Sequence, residues 1–189
     1  IKDLPAAFQT FLNKYYPSYI KPSRSTLKNE NFSFVITTKN IQDYLDIFVK
    51  DLKGFNYSTI TGRINNKENL LDLNADIPQF SYKNIALYNV TLKGSGTLSN
   101  LSLETGIGDI YINDSLHFPV TAISVNSAND VSEVKITTSA NQTLNAARIS
   151  AKVNTRRNGV SIHLNESSFD INGKNWIIEG YGVDPDIIV

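Results

Sequence analysis

Apolar and polar positions along this chain follow two different periods. Up to about residue 54 the apolar residues recur at helical spacing; after it they alternate. In the first stretch Leu4, Phe8, Phe11, Leu12 and Tyr15 share one helical stripe. Asp3 is placed to cap the start, Pro5 suits the first turn and Pro17 ends the pattern, so residues 1–20 are expected to form a helix. Residues 21–30 are polar and basic and read as a linker. The strand N-F-S-F-V-I-T-T follows at 31–38, with Phe32, Phe34 and Ile36 on one face. A second helix is expected from Asn40 as cap, with Asp43 in capping-box position, a stripe of Ile41, Tyr44, Leu45, Phe48 and Leu52, and Gly54 as its stop. Both stripes are read as core packing.

From Phe55 onward, strands are expected about every 10 to 12 residues, with turn chemistry between them. The turn candidates are Asn65-Asn66-Lys67, Lys83-Asn84, Gly94-Ser95-Gly96, Thr105-Gly106, Asn113-Asp114, Asn126 to Asn129, Ala140-Asn141, Asn158-Gly159 and Asn172-Gly173. Several strands alternate cleanly. Val134, Ile136 and Thr138 oppose Lys135 and Thr137; Ala147, Ile149, Ala151 and Val153 oppose Arg148, Ser150 and Lys152; Val160, Ile162 and Leu164 oppose Ser161 and His163. One dry and one wet face is the mark of an antiparallel meander. Two helices cannot cover about ten strands, so the sheet must curl on itself, pack as a sandwich or keep a groove. The expected fold is therefore mainly β: one domain over 1–189, with helix and linker at 1–30, strand and helix at 31–54, and a long antiparallel meander at 55–189 curled into a half-pipe or sandwich.

Composition narrows the function. The chain has 189 residues, 41% of them apolar, with nine Phe and nine Tyr, which is ample for a packed core. Eighteen basic residues balance eighteen acidic ones, which removes any global electrostatic drive toward nucleic acid. The start leans basic and the tail, with Asp184 and Asp186, leans acidic. Cysteine is absent, and with it disulfides, thiolate metal sites and cysteine nucleophiles. The abundance of Asn, Ser and Thr suits an extracytoplasmic surface. The chain begins at Ile1, as a processed product or a piece cut from a longer protein would, and its Asp-Ile-Ile-Val ending reads like a strand that continues elsewhere, which favours excision.

Catalytic chemistry is hard to find. His117 and His163 have no ligand spacing to each other, so no metal or other cofactor is expected. There is no G-x-S-x-G elbow, and Gly106-Ile107-Gly108-Asp109 lacks the third glycine of a dinucleotide loop. The carboxylates Asp109 with Asp114, and Glu166 with Asp170, are the remaining enzyme option. Lys152, Arg156 and Arg157 make a small basic patch, suited to solvent, to anionic headgroups or to an acidic partner. The expectation is a scaffold or binding surface with no catalytic residues.

One family fits the order of these features. An aromatic-proline segment, Y-Y-P-S-Y-I at Tyr15 to Ile20, precedes the strand F-S-F-V-I-T-T at 32–38 and the helix N-I-Q-D-Y-L-D-I-F at 40–48. A hairpin series then closes with S-S-F-D-I-N-G-K-N-W-I-I, which holds the only tryptophan, Trp176. In this order, over residues 11 to 180, the chain resembles the AsmA-like and TamB (translocation and assembly module) proteins of Gram-negative envelopes, particularly the Bacteroidetes form. The resemblance implies a periplasmic segment of a protein anchored in the inner membrane, its sheet curled into a taco-like half-pipe with an apolar inner face. It further implies lipid transport to the outer membrane, or outer membrane biogenesis and protein secretion beside a barrel protein of the assembly family. The partners would be phospholipid acyl chains, that barrel and neighbouring segments of the same chain. An alternating sheet with surplus apolar face can itself hold acyl chains, at about 0.8 kcal/mol per buried CH2. The candidate lining residues are Val134, Ile136, Ile149, Val153, Ile162 and Leu164; the alternative is that they pack as closed core beneath the helices. Two other readings stand beside this one: a surface adhesin or glycan-binding β-sandwich, whose exposed Tyr82, Tyr88 and Tyr111 stack on sugars, and an enzyme with a dispersed site.

Overall fold

The computed structural model describes residues 4–23, 31–49, 51–113, 116–139, 144–179 and 187–188. Among them are two short helices, α1 (Leu4–Asn13) and α2 (Gln42–Phe48), and the strands β1 (Asn31–Thr37), β2 (Leu52–Gly54), β3 (Thr59–Asn65), β4 (Leu70–Tyr82), β5 (Ile85–Gly96), β6 (Leu101–Ile112), β7 (Leu116–Ala128), β8 (Val131–Ser139), β9 (Leu144–Arg156), β10 (Gly159–Leu164), β11 (Ser167–Ile171), β12 (Lys174–Ile178) and β13 (Ile187–Ile188). All of these strands belong to one open sheet. From β3 to β10 neighbours in sequence are neighbours in space, and every pairing is antiparallel. The result is the expected meander, curled as a half-pipe with α1 against its inner side.

The strands are longer than the turn chemistry suggests. Gly94-Ser95-Gly96 and Thr105-Gly106 are not turns but lie inside β5 and β6. The two β5 glycines are there for space. A Cβ at Gly94 would meet Leu103 at 3.0 Å, and one at Gly96 would sit 2.7 Å from the Phe11 ring. The chain reverses instead at Thr97 to Asn100, where the Thr97 amide donates to the Asn100 carbonyl at 2.9 Å. Asn126 likewise belongs to β7, and the turn is made by Asn129 and Asp130, both at positive φ (49° and 64°). That pair and Asn172-Gly173 (52° and 72°) have the backbone that matches the right-handed twist of hairpin strands. Asp3, Asp114 and Ala140-Asn141 lie outside the described residues, as does most of the 21–30 linker.

The second helix departs most from expectation. It ends at Phe48, and Leu52 pairs with Tyr82 in β2 instead of continuing the stripe. Asn40 is not the cap; Ile41 holds that position, and its amide donates to Asn56 Oδ1 at 2.9 Å. Tyr44 is 67% exposed, so the stripe is not buried. The reason is connectivity. The Gln42 side chain accepts from the Gly54 amide at 2.9 Å, and Gly54, at φ 98°, ends β2 while still paired with Phe80 on the edge of β4. This ties α2 beside the sheet, where it cannot lie across it.

Near the end of the meander one residue is out of register. Leu164 pairs with Ala151, but Ser168 pairs with Arg148, so β10 and β11 together oppose β9 with one residue extra. Ser167 fills the break: its Oγ accepts from the Ser150 amide at 3.0 Å and donates to the Asn165 carbonyl at 2.9 Å.

Candidate functional site

In an antiparallel sheet directly opposed residues point to the same side, so the pairing register sorts the side chains into rungs. On the α1 side the outermost rung runs Ile64, Leu71, Gly96, Leu101, Ser127, Ser132, Val153 and Ile162. The next is Gly62, Leu73, Gly94, Leu103, Val125, Val134, Ala151 and Leu164. The third is Ile60, Ala75, Leu92, Thr105, Ile123, Ile136 and Ile149. All six candidate lining residues therefore lie on the α1 side, within three consecutive rungs, and each is half-buried. Ile136 and Ile149 are direct partners, as are Val153 and Ile162, while Val134 and Leu164 flank Ala151 from either side.

The rungs differ in how they are covered. α1 lies over the first, where Phe11 and Tyr15 form a buried cluster with Ile64, Leu71 and Leu101. The segment is fixed at both ends. Asn66 at the β3–β4 turn donates to the Ala7 carbonyl, and the Asp130 amide at the β7–β8 turn donates to the Tyr15 carbonyl at 2.7 Å. Ser18 adds a hydroxyl bond to the Asp130 carboxylate at 2.7 Å. Beneath the helix the rung turns polar: Tyr16 Oη, Ser127 Oγ and Ser132 Oγ bond one another at 2.7 to 3.0 Å. Tyr15 donates to the Thr97 carbonyl, and burial pushes its hydroxyl up to about 12.

At the other side a second cluster forms from Ala75, Ile77, Val90 and Ile107, with Phe55 stacked on Phe80 at 4.9 Å. There Thr121 and Thr138, both buried, bond to each other at 3.0 Å. On β7 and β8 the apolar rungs are thus bounded by a serine pair on one side and a threonine pair on the other. Between these hydroxyls runs a lane two rungs wide, apolar except for Thr105; its second-rung half crosses the sheet from β3 to Leu164 on β10, its third-rung half ends at Ile149 on β9, and Val153 and Ile162 lie beside it in the outermost rung. At the usual strand spacing that path is roughly 34 Å long. Sequence reasoning missed the β5–β7 part of the lane, Leu92, Leu103, Ile123 and Val125. The alternation Thr121, Ile123, Val125, Ser127 carries the signal, but a turn placed at Asn126 hides it.

The outer side is polar and carries a different feature. Pro78, Asn89, Gly108 and Val120 sit side by side in β4 to β7 and are skipped by the ladders on either side. At this row the alternation slips. Ile77 and Phe80, Val90 and Leu87, Ile107 and Ile110 are three apart, yet each pair joins the same inner cluster. Two consecutive residues per strand therefore face outward, a bulge shared by four strands. Asn89 (φ 52°) and Val120 (φ 41°) take left-handed backbone to make it. Beside the row lies an open concavity of about 920 Å³ that includes Tyr88, Asn89, Asp109 and Tyr111. The His117 Nε2–H donates to Asp109 Oδ1 at 2.7 Å.

Lys152 of the basic patch stands opposite Glu133 on β8. Among the described residues no three His, Asp or Glu side chains converge on one point, and no helix is long and apolar enough to cross a membrane. Compared with known proteins, the chain matches no family model, no curated protein and no solved structure.

Proposed function

We propose that this chain is a non-catalytic, periplasmic segment of an AsmA- or TamB-like envelope protein, and that its apolar lane carries phospholipid acyl chains toward the outer membrane. One observation carries the reading: the lane is an apolar strip across an open sheet, broken only by Thr105, with α1 over one side of it only. The residues between, including Ile136, Ile149 and Leu164, stay half-buried. A strip without polar pockets lets a chain slide, because each methylene leaving one contact enters an equivalent one. Neighbouring segments of the parent protein are the partners at the sheet edges. Val35 and Ile36 on β1, and Trp176, Ile177 and Ile178 on β12, are exposed on edge strands, of which β1 carries no charge and β12 a single one, Lys174. A barrel protein of the outer-membrane assembly family is the partner at the destination.

The test is mass spectrometry of organic extracts from the natively purified chain and from Ile149→Asp, beside a mock purification. The expected result is near-stoichiometric phospholipid in the parent chain and none in the variant, which still melts cooperatively by circular dichroism. A lipid-free parent extract, or a variant that unfolds because an unpaired charge has entered a closed core, overturns the proposal.

A further inference from the structure

The outer concavity beside the shared bulge is unconnected with acyl-chain transport, because it faces away from the lane. Its floor and wall follow from one rung. Ser81, Ala86, Tyr111 and His117 are successive partners across β4 to β7, two small side chains followed by two rings. The rings of Tyr111 and His117 are stacked, with centroids 4.3 Å apart and planes 10° from parallel. His117 thus backs one face of Tyr111, and the other fronts the open space above Ala86. Tyr88 meets Tyr111 edge-on, at 5.7 Å and 88°, and closes a second side of the corner.

The polar groups around this corner are held in place. Asp109 is bound by His117, and Gln79 donates to Tyr88 Oη at 3.3 Å. Asn89 projects into the space only because its neighbour is Gly108: a Cβ there would lie 3.0 Å from Asn89 Cβ and 3.1 Å from its Nδ2. At the open end Asn84 donates to Asn113 Oδ1 at 2.6 Å. An aromatic face beside fixed amides and a carboxylate suits a ligand with an apolar C–H face and adjacent hydroxyls. The charged side chains lining the concavity are Lys83 and Asp109, one of each sign, and no arginine fork is present among its lining residues to select phosphate or sulfate. Its volume of about 920 Å³ falls in the range of small-molecule sites.

We infer that this corner binds a neutral oligosaccharide, one pyranose ring stacking on Tyr111 above Ala86 with its hydroxyls on Asn89 and Asp109. Because the groups are already fixed by their neighbours, little ordering accompanies binding. The site would place a glycan on the outside of the half-pipe while lipid occupies the inside.

Saturation-transfer NMR on the 189-residue chain tests this, with maltotetraose, cellotetraose and chitotriose as neutral probes and a heparin tetrasaccharide as anionic probe. The expected result is transfer to ring C–H protons of at least one neutral probe. Tyr111→Ala removes the platform and Ala86→Leu fills the floor; each is expected to weaken the response tenfold or more. Ala86→Leu adds an apolar side chain at an outward strand position without introducing glycine, proline or a buried charge, so it reads the site even if Tyr111→Ala fails to fold. No transfer from any of the three neutral probes, undiminished transfer in Ala86→Leu, or transfer confined to the heparin fragment overturns the inference. Phospholipid content of the same samples reports the inner lane separately, so either idea can fail without the other.

Discussion

Two regions of the same sheet face, built from similar residues, end in different states. At the α1 end, Ile64 and Leu71 are shut away with Phe11 and Tyr15. Two rungs farther on, Ile136 and Ile149 are just as apolar and only half-buried. The strands do not differ; the cover does. A single helix of 10 residues, about 15 Å long at the usual rise, is enough for one side of the face. The second helix has the composition to cover more, but its tie to Gly54 holds it at the margin with Tyr44 in solvent. Burial is thus divided between the cluster under α1 and the second cluster around Ile77 and Val90, while Ile136 and Ile149 stay only half-buried.

Truncation on the two sides gives the largest contrast. Phe11→Ala, in the closed cluster, is expected to lower unfolding free energy by about 3–5 kcal/mol, because the cavity cannot collapse against the rigid β5 glycines. Ile136→Ala, in the lane, is expected to lower it by only about 1 kcal/mol, since its side chain gives up less burial. Urea denaturation of both variants reads the difference, and equal losses would mean that the lane is as closed as the helix end.

The next effect is alkaline. The Tyr15 hydroxyl is pushed from 10.0 to about 12 by burial, so the folded chain holds its proton where the unfolded chain releases it. Stability is therefore unaffected below about pH 10 and falls as pH rises from there toward 12, by roughly 2–3 kcal/mol at most. Tyr15→Phe is expected to remove that slope while lowering stability at neutral pH, through loss of the bond to the Thr97 carbonyl. Melts taken across this range check it. An unchanged alkaline slope in the variant would place the titration elsewhere, outside the α1 cluster.

The smallest effect is at the bulge. Val120, 68% exposed at φ 41°, is a β-branched residue in a backbone region that disfavours it. Val120→Asn is expected to raise stability by about 0.5–1 kcal/mol, because asparagine tolerates left-handed backbone and no packing is lost. Denaturant midpoints of the two chains decide it; a destabilised variant would mean that the Val120 methyls are packed.

How much of this was legible beforehand depended on the kind of interaction. The stripe Phe8, Phe11, Leu12, Tyr15 and the alternation over 131–164 were readable because each needs only the local period. Asn172-Gly173 was readable because its left-handed backbone is a property of those residues. The glycines of β5 were misread as a turn, since glycine serves both backbone freedom and close approach, and only the position of Phe11 distinguishes the two. The fate of Tyr44, the pairing of Tyr111 with His117 and the row of Pro78, Asn89, Gly108 and Val120 were not legible. Each depends on residues from separate elements, and no period within one element encodes them.

By itself, then, the sequence determined an antiparallel meander with one dry face, through side-chain alternation and short-range turn preferences. Which part of that face is closed, and which polar groups gather on the opposite side, was decided by tertiary structure. Cover and convergence depend on register across strands and on where the helices are tied. These are distances between segments far apart in the chain, set only when the whole sheet has formed.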